Sequence, residues 1–67
     1  MRRIWMTQKR LEKGLKQYEL AHECGVSNRT ISSIELGNRE PSGKLAMKIA
    51  ETLNIDMSLF FKDKISA

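Results

Sequence analysis

Apolar residues recur along this chain at three- and four-residue intervals, and no stretch shows the strict two-residue alternation of a half-buried strand. Ile4 and Leu11 lie seven apart on one face, with Trp5 and Met6 widening the stripe, which predicts a first helix over Arg2 to Lys13, ended by Gly14. Leu15 then turns back as an apolar anchor. Leu20, Ala21 and Cys24 share a face of a second helix, Gln17 to Cys24, and Ile31 with Ile34 repeats the pattern on a third, Asn28 to Leu36. Gly37 stops that helix, and Pro41 forces extended backbone ahead of Ser42. Ser42 caps a fourth helix to about Leu53, along which Leu45, Ala46, Ile49, Ala50 and Leu53 form a continuous stripe. Asn54 and Ile55 break the stripe. Asp56 caps a short fifth helix, Met57 to about Phe61, and the polar tail over 62–67 is expected to fray. The expected core is Leu15, Leu20, Ala21, Val26, Ile31, Ile34, Leu45, Ile49, Leu53, Ile55 and Phe60. The pattern therefore predicts an all-α, compact five-helix fold in one domain spanning 1–67, with its ordered part over about 4–61.

The most informative stretch is the turn between the second and third helices. Gly25 can take a positive φ without steric cost, Val26 is an apolar plug, and Ser27 offers a hydroxyl to a free amide at the next helix start. Two short amphipathic helices joined in this way form a helix-turn-helix, an arrangement that lays its second helix in the DNA major groove. The outward face of that helix carries Asn28, Arg29, Ser32 and Ser33. Arg29, near the N-terminal end, can make two parallel bonds to O6 and N7 of guanine, or stand as an ordinary solvated arginine. Asn28 either pairs with adenine or helps Ser27 cap the helix. Ser32 and Ser33 either touch the nucleic acid or are inert surface. Lys16 and Gln17 sit at a helix N-terminus, where free amides and the macrodipole favour a phosphate. Tyr18 either packs along the sugars or stays in solvent; Arg39, with Lys44 beyond it, either follows flanking phosphates or belongs to a solvated loop.

Lys9-Arg10, Gly14-Leu15, Gln17, Glu19-Leu20-Ala21, Gly25-Val26-Ser27, Ile31-Ser32, Glu35, Gly37, Pro41-Ser42 and the stripe from Leu45 to Ile55 together resemble the Cro/C1-type (XRE-like) helix-turn-helix domain of lambdoid phage repressors. The resemblance covers Arg10 to Phe61. It implies a lambda-repressor-like DNA-binding domain that occupies operator half-sites as a dimer. It further implies that Gln17 contacts a phosphate through backbone amide and side chain, and that Asn28, Arg29 and Ser33 reach base edges. Ser27, Thr30, Asn38 and Arg39 are implied to lie near the DNA backbone, and Arg10 and Glu35 to form a partly buried ion pair between the first helix and the end of the third. One departure is Lys16 at the N-cap of the second helix, where the family often has Ser or Thr, so the capping box with Glu19 is expected to be half present. A lysine there can instead reach a phosphate. Ser32 and Ser33 are a second departure, leaving few long side chains to read bases.

Charge and size refine this reading. A net charge of +4 and a pI near 9.6 suit a polyanionic partner. Cys24 is the single cysteine and His22 the single histidine, so neither a disulfide nor a metal set is expected, and no cofactor. His22 and Cys24 are near neighbours that do not face each other, and with no nucleophile or acid–base constellation the chain is not expected to be an enzyme. The apolar runs are too short to span a bilayer, which favours the cytoplasm, with nucleoid association on an operator. Trp5, Met57, Phe60 and Phe61 exceed what so small a core needs and suggest a patch for a homodimer. The expected function is a sequence-specific double-stranded DNA-binding transcriptional regulator, a repressor on an inverted-repeat operator. The alternatives are an antitoxin that also binds DNA, holding its toxin through Trp5 or Phe60 and Phe61, and a protein-interaction module on the same fold.

Overall fold

The computed structural model describes residues 2–61, and within them every regular element is helical: α1 (Ile4–Glu12), α2 (Gln17–Cys24), α3 (Asn28–Leu36) and α4 (Gly43–Leu53), with helical residues again at 59–61. The tail expected to fray, 62–67, lies outside the described residues. Gly25 and Gly37 both adopt left-handed backbone, at φ 72° and 82°, and so end α2 and α3 where the sequence places the stops. Ser27 and Ser42 cap the helices that follow them, accepting from Thr30 N at 3.3 Å and Leu45 N at 3.2 Å. Asn54 ends α4 in the same left-handed region, at φ 57°. Asp56 then accepts from Ser58 N at 2.9 Å and opens a tight turn whose amides bond three residues back, which is the fifth helix the pattern anticipated.

α2 packs against α3 on one side and α4 on the other, enclosing Leu20, Ala21, Ile31, Ile34, Ile49 and Leu53, with Phe60 closing the base. Leu15, Val26, Leu45 and Ile55 flank this cluster as half-buried neighbours, Met6, Cys24 and Ala46 complete it, and Ala50 is buried beside them on α4. Burial raises the pKa of the Cys24 thiol, a shift opposed by a hydrogen bond with Thr52 and the charge of Lys48. The thiol accordingly behaves as a small apolar group.

The first helix is turned relative to expectation. Ile4 and Leu11 are 60% and 61% exposed, whereas Arg3, Met6 and Arg10, spaced i, i+3 and i+7, face inward. The helix also begins at Ile4 and ends at Glu12, shorter than its apolar pattern suggested. The physical reason is that two arginines in the inward stripe find acceptors the first helix does not itself supply. Arg3 donates through Nη1 to the Ile34 carbonyl at 2.7 Å and the Arg39 carbonyl at 3.3 Å, and through Nη2 to Glu40 at 2.6 Å. Its guanidinium also lies 5.8 Å from the Phe60 ring centroid. Arg10 Nε meets Glu35 Oε2 at 2.6 Å, Nη2 meets Oε1 at 3.3 Å, and Nη1 caps the Leu15 carbonyl at 2.8 Å.

Phe60 is fully buried, and Trp5 is half-buried with its ring edge-to-face on Phe60 at 5.1 Å. Phe60 therefore belongs to the core and not to an exposed patch. The large apolar side chains that do reach solvent include Ile4, Leu11, Leu36 and Met47.

Two stability outcomes follow from this arrangement. Met6→Ala should cost about 2–5 kcal/mol in urea titrations because it opens a cavity under α1, while Ile4→Ala should stay within about 0.5 kcal/mol. Equal costs would restore the apolar-stripe register. Glu35→Ala strands the Arg10 guanidinium and should cost about 3–5 kcal/mol, a large share of the ~5 kcal/mol typical of so small a fold. Circular-dichroism melting reads the loss directly, and an unchanged midpoint would mean the pair contributes nothing to stability.

Candidate nucleic-acid interface

The geometry of the α2–α3 turn decides which side chains are free. Ser27 Oγ is engaged by the Thr30 amide and lies 3.0 Å from Thr30 Oγ1, so both hydroxyls belong to the cap. Asn28 is consequently not needed there and projects into solvent beside Arg29. Ser32 and Ser33 follow one turn later, both half-buried, and their small size leaves the middle of the α3 face low. Beyond them Gly37 N donates to the Ile34 carbonyl and Asn38 N to the Ser33 carbonyl at 3.0 Å, which fixes the exit from α3. Asn38 and Arg39 have exposed side chains, while the Arg39 carbonyl is held by Arg3.

At the other end of the motif α2 begins with an incomplete cap. Glu19 Oε1 accepts from the Lys16 amide at 2.8 Å, but a lysine ammonium has no acceptor to return the bond. The capping box is therefore half formed, as the Lys16 substitution implied. Glu19 N and Leu20 N bond to the Lys16 carbonyl, whereas among the described residues the amides of Gln17 and Tyr18 meet no hydrogen-bond acceptor. Lys16 and Tyr18 are exposed and Gln17 is half-buried; Gln17 shares a cleft with Ser32 and Tyr18 a groove with Asn28, which sets the α2 terminus beside α3.

Gln17 is held from below. Its Nε2 donates to Glu35 Oε1 at 3.2 Å, and Thr7 Oγ1 donates to the same oxygen at 2.9 Å. With the two bonds from Arg10, this makes the 6%-exposed Glu35 carboxylate a junction of α1, α2 and α3. The Arg10–Glu35 pair is thus present and buried. The sequence reading missed Thr7 and Arg3, whose partners lie 28 to 37 residues away and leave no local pattern.

A second group gathers at the start of α4. Arg39, Lys44 and Lys48 line one groove with Thr30 and Ser42, bringing three cations beside the cap of the outward helix. Lys48 was not anticipated, although its spacing of four from Lys44 was a readable signal. Cys24 lines the same groove and is buried, whereas His22 is exposed, so the two do not form a pair. Among the described residues no helix is long and apolar enough to cross a membrane.

Comparison with known proteins gives this geometry its context. The helix-turn-helix family model matches residues 6–60. An HTH-type transcriptional regulator of Bacillus subtilis (strain 168), YqaF, is 40% identical over 63 residues, covering 94% of this chain and 83% of that protein. The ImmF control region 10 kDa protein of Bacillus phage phi105 is 43% identical over 51 residues, which is 76% of this chain and 57% of the phage protein. Among solved structures, a chain of the SinR protein/SinI protein complex superposes with a TM-score of 0.80 at 31% identity, over 96% of this chain and 63% of its own length. This chain thus spans less than two thirds of the phage protein and of that structural neighbour. The left-handed turn at Gly25, the Ser27 cap, the buried Arg10–Glu35 pair and the match over 6–60 agree, and the chain belongs to the Cro/C1-type helix-turn-helix family of DNA-binding transcriptional regulators.

Proposed function

We propose that this chain is a sequence-specific regulator of transcription, a repressor that binds an inverted-repeat operator as a homodimer and acts as one domain in the cytoplasm, at the nucleoid when bound. The observation that carries the proposal is the exposed pair Asn28 and Arg29 on the first turn of α3, beside the free amides of α2. In this reading α3 enters the major groove. Arg29 takes guanine, Asn28 takes adenine, and Ser32 and Ser33 make short contacts. Lys16, Gln17 and Tyr18 hold the phosphate strand on one side, while Ser27, Thr30, Asn38 and Arg39 lie along the backbone on the other. Lys44 and Lys48 extend that second set. Two copies would reach half-sites about one helical turn apart.

A second reading is that the chain also holds a protein partner, as an antitoxin or interaction module would. It is favoured by the exposed Ile4 and Leu11 on α1, and by the structural neighbour's presence in a complex of two named proteins. The partner surface in this reading is the outer face of α1, since Phe60 is buried.

Selection from a randomised duplex pool at about 150 mM salt, where non-specific retention is weak, tests the first reading. An inverted repeat is the expected product; recovery of no motif would shift the function to the protein partner. With the motif in hand, Arg29→Ala should cost about 1–3 kcal/mol at one base position and relax preference there. Arg39→Ala should weaken all sequences alike and reduce the salt slope by about 1. If both variants affect every duplex equally, the division between reading and anchoring residues is wrong.

A further inference from the structure

A cleft of about 540 Å³ is shared by α1, α3 and the first residue of α2, and its lining brings the half-buried Gln17 and Ser32 together with the buried Arg10 and Glu35. Among the described residues, Gln17 is the one proposed backbone-contacting side chain that bonds a buried carboxylate. A carboxylate can only accept, so the Gln17 carboxamide must turn its nitrogen toward Glu35 and its oxygen away. One hydrogen of that nitrogen is used at 3.2 Å, and the other remains available. Glu35 itself carries a charge that would repel a phosphate, but Arg10 neutralises it at 2.6 Å.

We propose that Glu35 is a positioning residue for DNA-backbone binding: it takes one amide hydrogen of Gln17 and so aims the other at a phosphate seated on the N-terminal amides of α2. The inference rests on the DNA-binding reading above and adds to it a coupling between the reading helix and the anchor. Glu35 lies on α3, so any rotation of α3 in the groove moves the acceptor that orients Gln17. Thr7 shares the same oxygen at 2.9 Å and keeps it in place from the α1 side. A freely rotating glutamine would have to be ordered on binding, whereas this one is ordered beforehand.

The test is a double-mutant cycle on a mixed-sequence duplex at about 50 mM salt, because phosphate contacts do not depend on base sequence. Gln17→Ala should weaken binding about tenfold, as loss of a hydrogen bond to a charged group requires. Glu35 is removed together with its partner, as Arg10→Met/Glu35→Leu, since an apolar pair of similar size replaces a buried ion pair without stranding a charge. In that background Gln17→Ala should change affinity less than about twofold, within the error of additive behaviour. Arg10→Met/Glu35→Gln keeps an acceptor for Gln17 and should restore the Gln17→Ala effect, which a purely structural role for the pair would not do. The Gln17 side-chain amide protons, read by ¹⁵N NMR, should lose their separate protected signature in the Leu variant and keep it in the Gln variant. If Gln17→Ala costs the same factor in all three backgrounds, the positioning role is wrong while DNA binding stands. If Gln17→Ala costs nothing, Gln17 makes no phosphate contact and the inference falls with that assignment. If the unmodified chain retains no duplex at this salt, the DNA reading itself fails.

Discussion

A carboxylate withdrawn from water in a small helical fold is tolerable only when its charge is balanced and its lone pairs are filled, and Glu35 meets both conditions at once. Arg10 supplies two bonds and the opposite charge, while Thr7 and Gln17 supply one bond each. Desolvating such a pair is expensive, so its geometry has to be supported from every side. The consequence is that α1, the start of α2 and the end of α3 cannot shift independently. Arg10 also caps the Leu15 carbonyl, which ties the turn between α1 and α2 to the same junction. The apolar cluster holds α2, α3 and α4 together without direction; the Glu35 junction fixes the orientation of α1, α2 and α3.

Much of this fold was legible because its helix boundaries are written in local chemistry. Ser27, Ser42, Gly25 and Gly37 each act through atoms within a few residues, and the structure uses them where the sequence places them. The register of α1 was not legible. Its inward stripe is a methionine between two arginines, and arginine reads as solvent-facing until its acceptors are known. Those acceptors are the carbonyls of Ile34, Leu15 and Arg39 and the carboxylates of Glu35 and Glu40, all outside α1. Phe60 was expected in the core and is buried there; what local pattern could not show is that Trp5 and Arg3, at the far end of the chain, pack against its ring.

For the candidate interface, helical periodicity was enough to place Asn28, Arg29, Ser32 and Ser33 on one face, because that face is set by the apolar residues opposite it. Periodicity alone could not separate caps from contacts. The hydroxyls of Ser27 and Thr30 are committed to each other and to the helix start, which leaves Asn28 unencumbered. Nor could it show that Arg39, Lys44 and Lys48 converge, since they come from a loop and a helix whose relative placement depends on Pro41, itself buried.

Arg3 joins the first described residues to the last. Its backbone amide bonds the Glu35 carbonyl, its side chain bonds Ile34, Arg39 and Glu40, and its guanidinium rests against Phe60. Every one of these contacts spans more than thirty residues of sequence, whereas those of the α2–α3 turn are local. Local opening at Arg3 is therefore not a local event: its release strips donors from the last carbonyls of α3 and uncovers an aromatic ring at the same moment. In hydrogen-exchange terms, the amides of the α1 start, the α3 exit and the 57–61 turn share one tie, and protection is expected to be gained or lost by all three together.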